Sequence, residues 1–285
     1  MTSLPLSKRL TQIPLRPEFA EQLTQLVHAD VEQLRQHPPI VAMFATLSAA
    51  LPSAEHVTTT FQEAWTLMYA AIGRLDALQD GDPISTPPQV ATTGAHYNLV
   101  FASYVLAVGL LDELATQVPD HCLRRLQRLW NDCMLRMADG QQHDLASGTV
   151  PLSFESLAVY QQIAQAKTGA TYALAFGGLA ILCTDDAALV DALTQVGEIY
   201  GTLVQYADDL RDAVDQPNAA LTLPELLPFI PHAFDLSPAQ LAAAFWSYLY
   251  SSYLAAALDA LAAFPAVRDA TSTLFAAVFT PDPLP

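Results

Sequence analysis

The sequence predicts an all-α protein in which one helical bundle forms a single domain over residues 1–285. Three observations predict this fold class: apolar residues recur at helical spacing, no alternating β pattern of useful length occurs, and prolines fall mostly between the apolar runs. With 52% hydrophobic and 14% charged residues, the chain can build a large core. No linker or internal repeat divides it, so we expect one domain.

The individual helices follow from apolar periodicity and from the residues that start or stop them. Ser53 offers an N-cap for a long helix that ends near Leu78. The segments 79–88 and 214–232 are rich in proline and predict connections. The predicted helices are 17–36, one from "HPP" at 37–39 to about Leu51, one from the Ser53 cap through Leu78, 91–117, 119–140, 153–168, 170–183, 186–214, 238–264 and 266–279.

The charge balance excludes two classes of partner. The formal net charge is −17, from 12 Lys and Arg against 29 Asp and Glu, and this charge repels nucleic acid and anionic membrane surfaces. An anionic substrate would therefore need metal ions to bridge it to the protein. No signal peptide is evident, and no uninterrupted apolar run reaches the roughly 18 residues of a membrane span. The three cysteines form no CxxC pair, which is typical of buried thiols in a reducing compartment. We therefore expect a cytoplasmic protein, and the lack of a long apolar run predicts no stable membrane span.

Acidic residues cluster at the ends of two long apolar helices. "YADDLRD" places Asp208, Asp209 and Asp212 close together, because residues i and i+4 share a helix face. "RLDALQD" places Asp76 and Asp80 in the same relation. Buried like charges are costly unless a divalent cation compensates them, and carboxylate oxygens suit Mg²⁺. Each cluster has two possible interpretations. It is a solvated acidic helix end, or it provides part of the carboxylate ligands for a metal-bound diphosphate at the mouth of an apolar cavity.

A single lysine lies in the apolar second half of the chain. Lysine occurs only at Lys8 and Lys167, and Lys167 stands in "AQAKTGATYALA" between two apolar helices. It is either a helix-end side chain that extends to solvent or the cation that contacts a diphosphate.

The order of these motifs resembles the trans-isoprenyl diphosphate synthase, or polyprenyl synthetase, family. The resemblance covers about residues 38–224 and is more specific in its second half. It implies the isoprenoid synthase type I fold, which is an all-α bundle around a deep central cavity, often as a homodimer. It also implies three Mg²⁺ ions and ionisation of an allylic prenyl diphosphate. The matching motifs are "GQQHDL" (140–145), "YQQIAQAKTGATYALAFGGLA" (160–180), "YGTLVQYADDLRD" (200–212) and "LTLP" (221–224).

The resemblance implies metal ligands in two Asp-rich motifs. Asp208, Asp209 and Asp212 are similar to the second metal motif of the family. Asp76 and Asp80 keep the outer positions of the first motif.

The resemblance also implies residues that contact the substrate. Lys167 is similar to the lysine that contacts the diphosphate, and the oxygens of Thr168 and Gln205 are similar to the dipoles that stabilise the carbocation. Gln141 and Asp144 resemble supporting residues of the substrate site on the neighbouring helix.

The depth of the implied pocket depends on residues about one turn before the first Asp motif. Here these positions hold Ala71 and Ile72. Bulky aromatic residues there shorten the pocket in the family. The smaller side chains imply a deep pocket, suited to a prenyl tail of roughly fifteen to twenty carbons.

The chain departs from the family where isopentenyl diphosphate would bind. Ala77 stands at the second aspartate of the first motif, and "GDPISTPP" after it contains no arginine. Upstream, only Arg35 and Pro39 loosely match the family's basic stretch, and Ala220 stands where the family has a lysine. Each lost charge-assisted contact weakens binding by about 1.5–3 kcal/mol.

These losses lead to a functional expectation. We expect a Mg²⁺-dependent class I terpene-synthase-like enzyme that ionises one allylic C15–C20 diphosphate, linear or already bicyclic. The cation would be quenched to a terpene or a terpene alcohol. Two alternatives stay open: a chain-elongating isoprenyl diphosphate synthase or prenyltransferase, and a non-catalytic subunit of such an enzyme.

Overall fold

The computed structural model shows a helical protein, as the sequence predicts. The structure describes residues 10, 13–51, 55–81, 90, 92–147, 153–212, 223–229 and 236–279, without the side chains of residues 55, 154, 212 and 238. Within these ranges there is no β-strand. The predicted all-α fold class is therefore confirmed.

Eleven α-helices lie within the described ranges. Two short 3₁₀ segments, Leu114–Thr116 and Leu227–Phe229, and one π-helical segment, Gln165–Gly169, extend or join them. The helices are α1 (Pro17–Arg35), α2 (Pro38–Ala50), α3 (Glu55–Asp80), α4 (Thr93–Glu113), α5 (Asp120–Ser147), α6 (Phe154–Ala164), α7 (Ala170–Cys183), α8 (Ala187–Asp212), α9 (Leu223–Leu226), α10 (Pro238–Ala260) and α11 (Pro265–Val278).

The predicted helix bounds differ from the structure mainly near the predicted site. Helix α5 ends at Ser147 rather than at residue 140, so Gln141 and Asp144 lie on it. The predicted helix 153–168 ends as an α-helix at Ala164 and continues as the π segment. Of the predicted connections, 79–88 is described only at residues 79–81 and 214–232 only at residues 223–229, and both described parts are mostly helical. Ala220 lies outside the described residues.

The chain divides into two compact units. The first consists of Met1–Phe44 and Ser53–Arg124, and the second of Ala45–Pro52 and Arg125–Pro285. Asp76 and Asp80 belong to the first unit, whereas Asp208, Asp209 and Asp212 belong to the second. The single domain over residues 1–285 and the central cavity between the Asp motifs stay predictions.

The first unit is built on α3 and α4, which pack against each other, with α1 against both. Its core contains aromatic side chains near the middle of α3. The ring centroids of Phe44 and Trp65 lie 5.4 Å apart, and Trp65 stacks on Tyr69 at 4.9 Å. This packing holds α3 in place below its acidic end.

The second unit is built on α7 and α8. Helix α7 is buried on all sides from Ala170 to Ile181, which agrees with its almost wholly apolar sequence. Two glycines let α8 approach it closely. A Cβ on Gly201 would lie 2.5 Å from the carbonyl oxygen of Thr168, and one on Gly197 would lie 2.5 Å from that of Tyr172. This close approach brings the π segment against α8.

Among the residues that the structure describes, three helical stretches are long and apolar enough, by length and composition alone, to cross a membrane: Thr93–Thr116, Glu155–Cys183 and Ala239–Ala260. Polar residues interrupt these helices, so none is an uninterrupted apolar run, but their mean hydropathy is high. The absence of a stable membrane span therefore stays a prediction.

Candidate metal and diphosphate site

The π-helical segment Gln165–Gly169 carries Lys167 and Thr168, two of the predicted site residues. Single π turns inside α-helices are rare and occur often at functional sites. Helix α5 approaches this segment closely, since a Cβ on Gly140 would lie 2.9 Å from the backbone nitrogen of Lys167. The glycine therefore lets the residues that follow it on α5 reach the π turn.

Lys167 and Asp144 form an ion pair between the π segment and α5. The Lys167 Nζ donates a hydrogen bond to Asp144 Oδ2 at 2.5 Å, and the two side chains are 15% and 14% exposed. An ammonium group carries three N–H donors, of which this bond uses one. The pair thus joins two residues that the resemblance assigns to the substrate site.

A chain of hydrogen bonds runs from Thr168 to Asp209. The Thr168 hydroxyl donates to Gln205 Oε1 at 2.5 Å, and Gln205 Nε2 donates to Asp209 Oδ1 at 2.8 Å. The Tyr160 hydroxyl donates to Asp209 Oδ2 at 2.7 Å, and the Leu223 backbone amide donates to the same oxygen at 3.3 Å. Asp209 therefore links α6, α8 and the start of α9.

Burial controls the protonation of this network. Burial raises the pKa of the Asp209 carboxyl above its ordinary value, although the hydrogen bonds from Tyr160, Gln205 and Leu223 act in the opposite direction. Burial also raises the pKa of Tyr160 well above its ordinary value, and the negative charge of Asp209 adds to this shift. Tyr160 therefore keeps its proton at neutral pH and acts as a donor.

The remaining residues of the second Asp motif lie at the end of α8. Asp208 is half-buried, and its Oδ1 accepts a hydrogen bond from Arg211 Nη1 at 2.8 Å. The Asp212 backbone ends the helix, and its side chain lies outside the description. The structure thus brings Asp208 and Asp209 to the same helix end as Gln205, with Lys167 and Thr168 on the neighbouring π segment.

The first Asp motif lies at the end of α3 in the other unit. Asp76 is half-buried and Asp80 is exposed. Of the two residues predicted to limit the pocket, Ala71 is buried and Ile72 is half-buried. The structure places all four on the last three turns of α3, and their approach to the second motif stays a prediction.

A sequence model of the family described as polyprenyl synthetase matches residues 95–220. Over these residues, the chain is similar to the polyprenyl synthetase family. The resemblance that the motifs predicted is thereby confirmed. The polyprenyl synthetase segment contains Gln141, Asp144, Lys167 and the second Asp motif, whereas the first Asp motif lies outside it.

Solved structures with the same fold match almost the whole chain. A geranyltransferase from Helicobacter pylori 26695 is 16% identical with a TM-score of 0.73, covering 97% of this chain and 95% of that one. A geranyltransferase from Helicobacter pylori, complexed with magnesium and isoprenyl diphosphate, is also 16% identical, with a TM-score of 0.72 and coverage of 95% and 93%. A polyprenyl synthase from Caulobacter crescentus CB15, complexed with calcium and isoprenyl diphosphate, is 21% identical, with a TM-score of 0.69 and coverage of 97% and 94%. No curated protein matches the sequence.

The polyprenyl synthetase segment contains a side chain whose polar groups have no protein partner among the described residues. The side-chain nitrogen and oxygen of Gln141 are both buried, and neither forms a hydrogen bond there. Burying such groups without a partner costs about 1–3 kcal/mol each. Gln141 therefore fits a site that a polar ligand completes.

The carboxylate oxygens of Asp208 are more available to a divalent metal than those of Asp209. Carboxylate oxygens are the ligands that Mg²⁺ prefers. Asp208 is bound to Arg211 at a partly exposed surface, where the ion pair is 52% and 37% exposed and can rearrange. Both oxygens of Asp209 accept hydrogen bonds inside the protein. A metal at Asp209 would have to share these oxygens or displace their donors.

Tyr160 is a residue of the site that was not predicted from the sequence. Tyr160 lies seven residues before Lys167, two helical turns away, and this spacing is a signal for a shared face. It stacks on Tyr206 with centroids 5.5 Å apart, and the Tyr206 hydroxyl lies 3.3 Å from that of Tyr253. The Tyr253 partner on α10 could not be found from local spacing, because it depends on how α10 packs against α8.

Asp209→Asn is expected to change how stability depends on pH. Because the pKa of Asp209 is raised in the folded chain, that chain holds this proton more readily than the unfolded chain does. The free energy of unfolding therefore falls as pH rises from about 4, the unfolded pKa, to the higher folded pKa. Asparagine keeps an acceptor for Tyr160 without a charge, so the variant should lack this loss. Urea unfolding in EDTA across this pH range measures the difference.

The matched control for this experiment is Asp259→Asn on α10, since Asp259 is exposed. Its pH profile should follow that of the wild type. If the pH profiles of the wild type and Asp209→Asn coincide, folding does not raise the pKa of Asp209.

Proposed function

We propose that this chain is a Mg²⁺-dependent prenyltransferase of the isoprenyl diphosphate synthase type, acting on an allylic prenyl diphosphate. The observation that carries the proposal is the cluster of Lys167, Asp144, Thr168, Gln205 and Asp208 inside the polyprenyl synthetase segment. Two of the solved structures with this fold are described as complexes of isoprenyl diphosphate with a divalent metal. These comparisons favour the chain-elongating alternative over the terpene-synthase expectation.

In this proposal the two Asp motifs hold the metal. Asp76 and Asp80 of the first motif and Asp208, Asp209 and Asp212 of the second would hold the ions, three in all. Bound Mg²⁺ would supply Lewis-acid stabilisation of the departing diphosphate. Because the chain carries a net charge of −17, a diphosphate could not bind here by protein cations alone.

The protein's own side chains position the substrate and stabilise charge. The Lys167 ammonium contacts the diphosphate while its bond to Asp144 fixes its direction. The Thr168 hydroxyl donates to Gln205, so its oxygen lone pairs are directed away from that bond and serve the allylic cation. Gln141 supplies a further polar contact from α5. Ala71 and Ile72 stay the residues expected to set how long a prenyl tail the chain accepts.

A second candidate function is the class I terpene-synthase reaction, in which the cation is quenched without addition of isopentenyl diphosphate. Sequence features favour it: Ala77 in the first Asp motif, no arginine in 81–88, and Ala220 in place of a lysine. A second diphosphate is held mainly by Lys and Arg, and these contacts are the ones that are missing.

Incubation with a C10 or C15 allylic diphosphate, labelled isopentenyl diphosphate and Mg²⁺ separates these functions. We expect label in a longer prenyl diphosphate, because the family match favours elongation. Label-free hydrocarbons or alcohols in a hexane extract, detected by gas chromatography, would instead support the terpene-synthase candidate. If no diphosphate is released from any prenyl substrate, the chain is a non-catalytic subunit.

Asp208→Ala is expected to abolish diphosphate release, a loss of about a thousandfold or more, because it removes a metal ligand. The assay is release of inorganic diphosphate by the purified chain with saturating Mg²⁺. Asp259→Ala, which removes an exposed carboxylate far along the sequence on α10, should retain activity. Equal effects of the two substitutions would contradict the metal assignment.

We also propose that the chain forms a homodimer through α4. Four apolar side chains, Tyr97, Phe101, Val105 and Val108, follow one another at helical spacing and are 40%, 69%, 50% and 37% exposed. An apolar stripe of this kind is buried efficiently against the same stripe of a second copy.

Phe101→Glu is therefore expected to convert the dimer into a monomer, since it places charge in the apolar contact. Sedimentation velocity measures the mass. Tyr248→Glu is the matched control, because Tyr248 is 66% exposed on α10, and it should stay dimeric. A wild-type chain that sediments as a monomer at all concentrations would disprove the contact.

A further inference from the structure

A buried ion pair joins α1 to α3 in the first unit. Arg74 Nη2 donates to Asp30 Oδ1 at 2.5 Å, and Arg74 Nε donates a longer bond to Oδ2 at 3.4 Å. The side chains are 6% and 10% exposed. The guanidinium thus meets the carboxylate with two nitrogens, and this two-point contact restricts rotation as well as distance.

The pair lies at the last buried position of α3. Ala71 and Arg74 are buried, whereas every residue from Leu75 to Asp80 is half-buried or exposed. Asp76 lies about 3 Å and Asp80 about 9 Å further along the helix axis, at 1.5 Å per residue. Full burial therefore ends at Arg74, and the ion pair is the last fully buried contact before the acidic end of the helix.

Stability alone gives a weak reason for this pair. Removing two charges from water is expensive, and apolar side chains of similar volume are often as stabilising as a buried ion pair. Burial raises the pKa of Asp30 despite the opposite effect of Arg74, which shows that the carboxylate is desolvated. In some proteins, buried ionic groups define one orientation or register and do not add stability.

We propose that the Asp30–Arg74 pair is a positioning device that holds the end of α3 in the orientation in which Asp76 and Asp80 bind divalent metal. The inference rests on the proposed function, because that function assigns metal to the first Asp motif. Asp30 and Arg74 do not touch the metal or the substrate, so they are positioning residues and not catalytic residues.

The geometry explains why rotation matters. Side-chain atoms lie about 5–6 Å from the axis of an α-helix, so a rotation of about 10° moves a carboxylate by about 1 Å. A functional site tolerates errors of only about 0.5 Å. Apolar contacts are not directional, whereas the two nitrogens of Arg74 define both the rotation and the axial position of α3.

The test compares Mn²⁺ binding to the full chain and its variants by electron paramagnetic resonance, in the presence of inorganic diphosphate. The main variant is Asp30→Leu with Arg74→Met, which replaces the pair by apolar side chains of similar size. We expect a folded chain with a melting temperature at or above that of the wild type, and at least tenfold weaker Mn²⁺ binding at the sites that Asp76→Ala removes. Asp120→Leu with Arg124→Met is the control, because it removes an exposed pair 3.9 Å apart and should leave Mn²⁺ binding unchanged.

Arg74→Lys is a second variant, which decides the question if the double variant does not fold. Lysine keeps the charge but has no planar fork, so we expect an unchanged melting temperature and at least threefold weaker Mn²⁺ binding. Folded variants that bind Mn²⁺ within twofold of the wild type would overturn the inference. So would a wild-type chain whose Mn²⁺ sites do not depend on Asp76.

This readout separates the inference from the proposed function. If the wild type binds Mn²⁺ through Asp76 but neither releases diphosphate nor elongates a prenyl chain, the proposed function fails and the positioning role stands. If diphosphate release is normal in the wild type and unchanged in the double variant, the proposed function stands and the positioning role fails.

Discussion

The second unit depends on how the half-buried carboxylate of Asp209 is hydrogen-bonded. A charge in an apolar helical interior is tolerated only when it is hydrogen-bonded from several sides. Tyr160, Gln205 and the Leu223 amide supply these bonds from α6, α8 and the start of α9. The bond to Asp209 also orients Gln205, whose Oε1 accepts a hydrogen bond from the Thr168 hydroxyl. The positions of Gln205 and Thr168 therefore depend on the hydrogen bonds that the protein makes to one carboxylate.

Positive charge is scarce in this protein, and the cations next to the predicted site residues already have carboxylate partners. Arg74 pairs with Asp30, Lys167 with Asp144, and Arg211 with Asp208. Each pair is close to neutral, so the residues around the Asp motifs offer little net attraction to an anion. Divalent metal is the simplest source of the missing charge, which is why the proposed function depends on it.

Close helix packing determines which polar groups can meet. Gly140, Gly197 and Gly201 each occupy a point where a Cβ would collide with a neighbouring backbone. These contacts bring α5 and α8 against the π segment, so that Lys167 reaches Asp144 and Thr168 reaches Gln205. The polar contacts of the site therefore rest on the absence of side chains at a few positions.

The sequence by itself determined the helical class, most helix spans and the grouping of the aspartates, because helical periodicity and i, i+4 spacing are local properties. It also singled out Lys167, since charge is rare in its surroundings. Only the tertiary structure decided that Asp209 binds Tyr160, 49 residues away, and that Arg74 binds Asp30, 44 residues away. It also decided that a π turn carries Lys167. These features depend on how helices pack against one another, and helix packing depends on the shapes of all the side chains at the contact, so no local spacing encodes it.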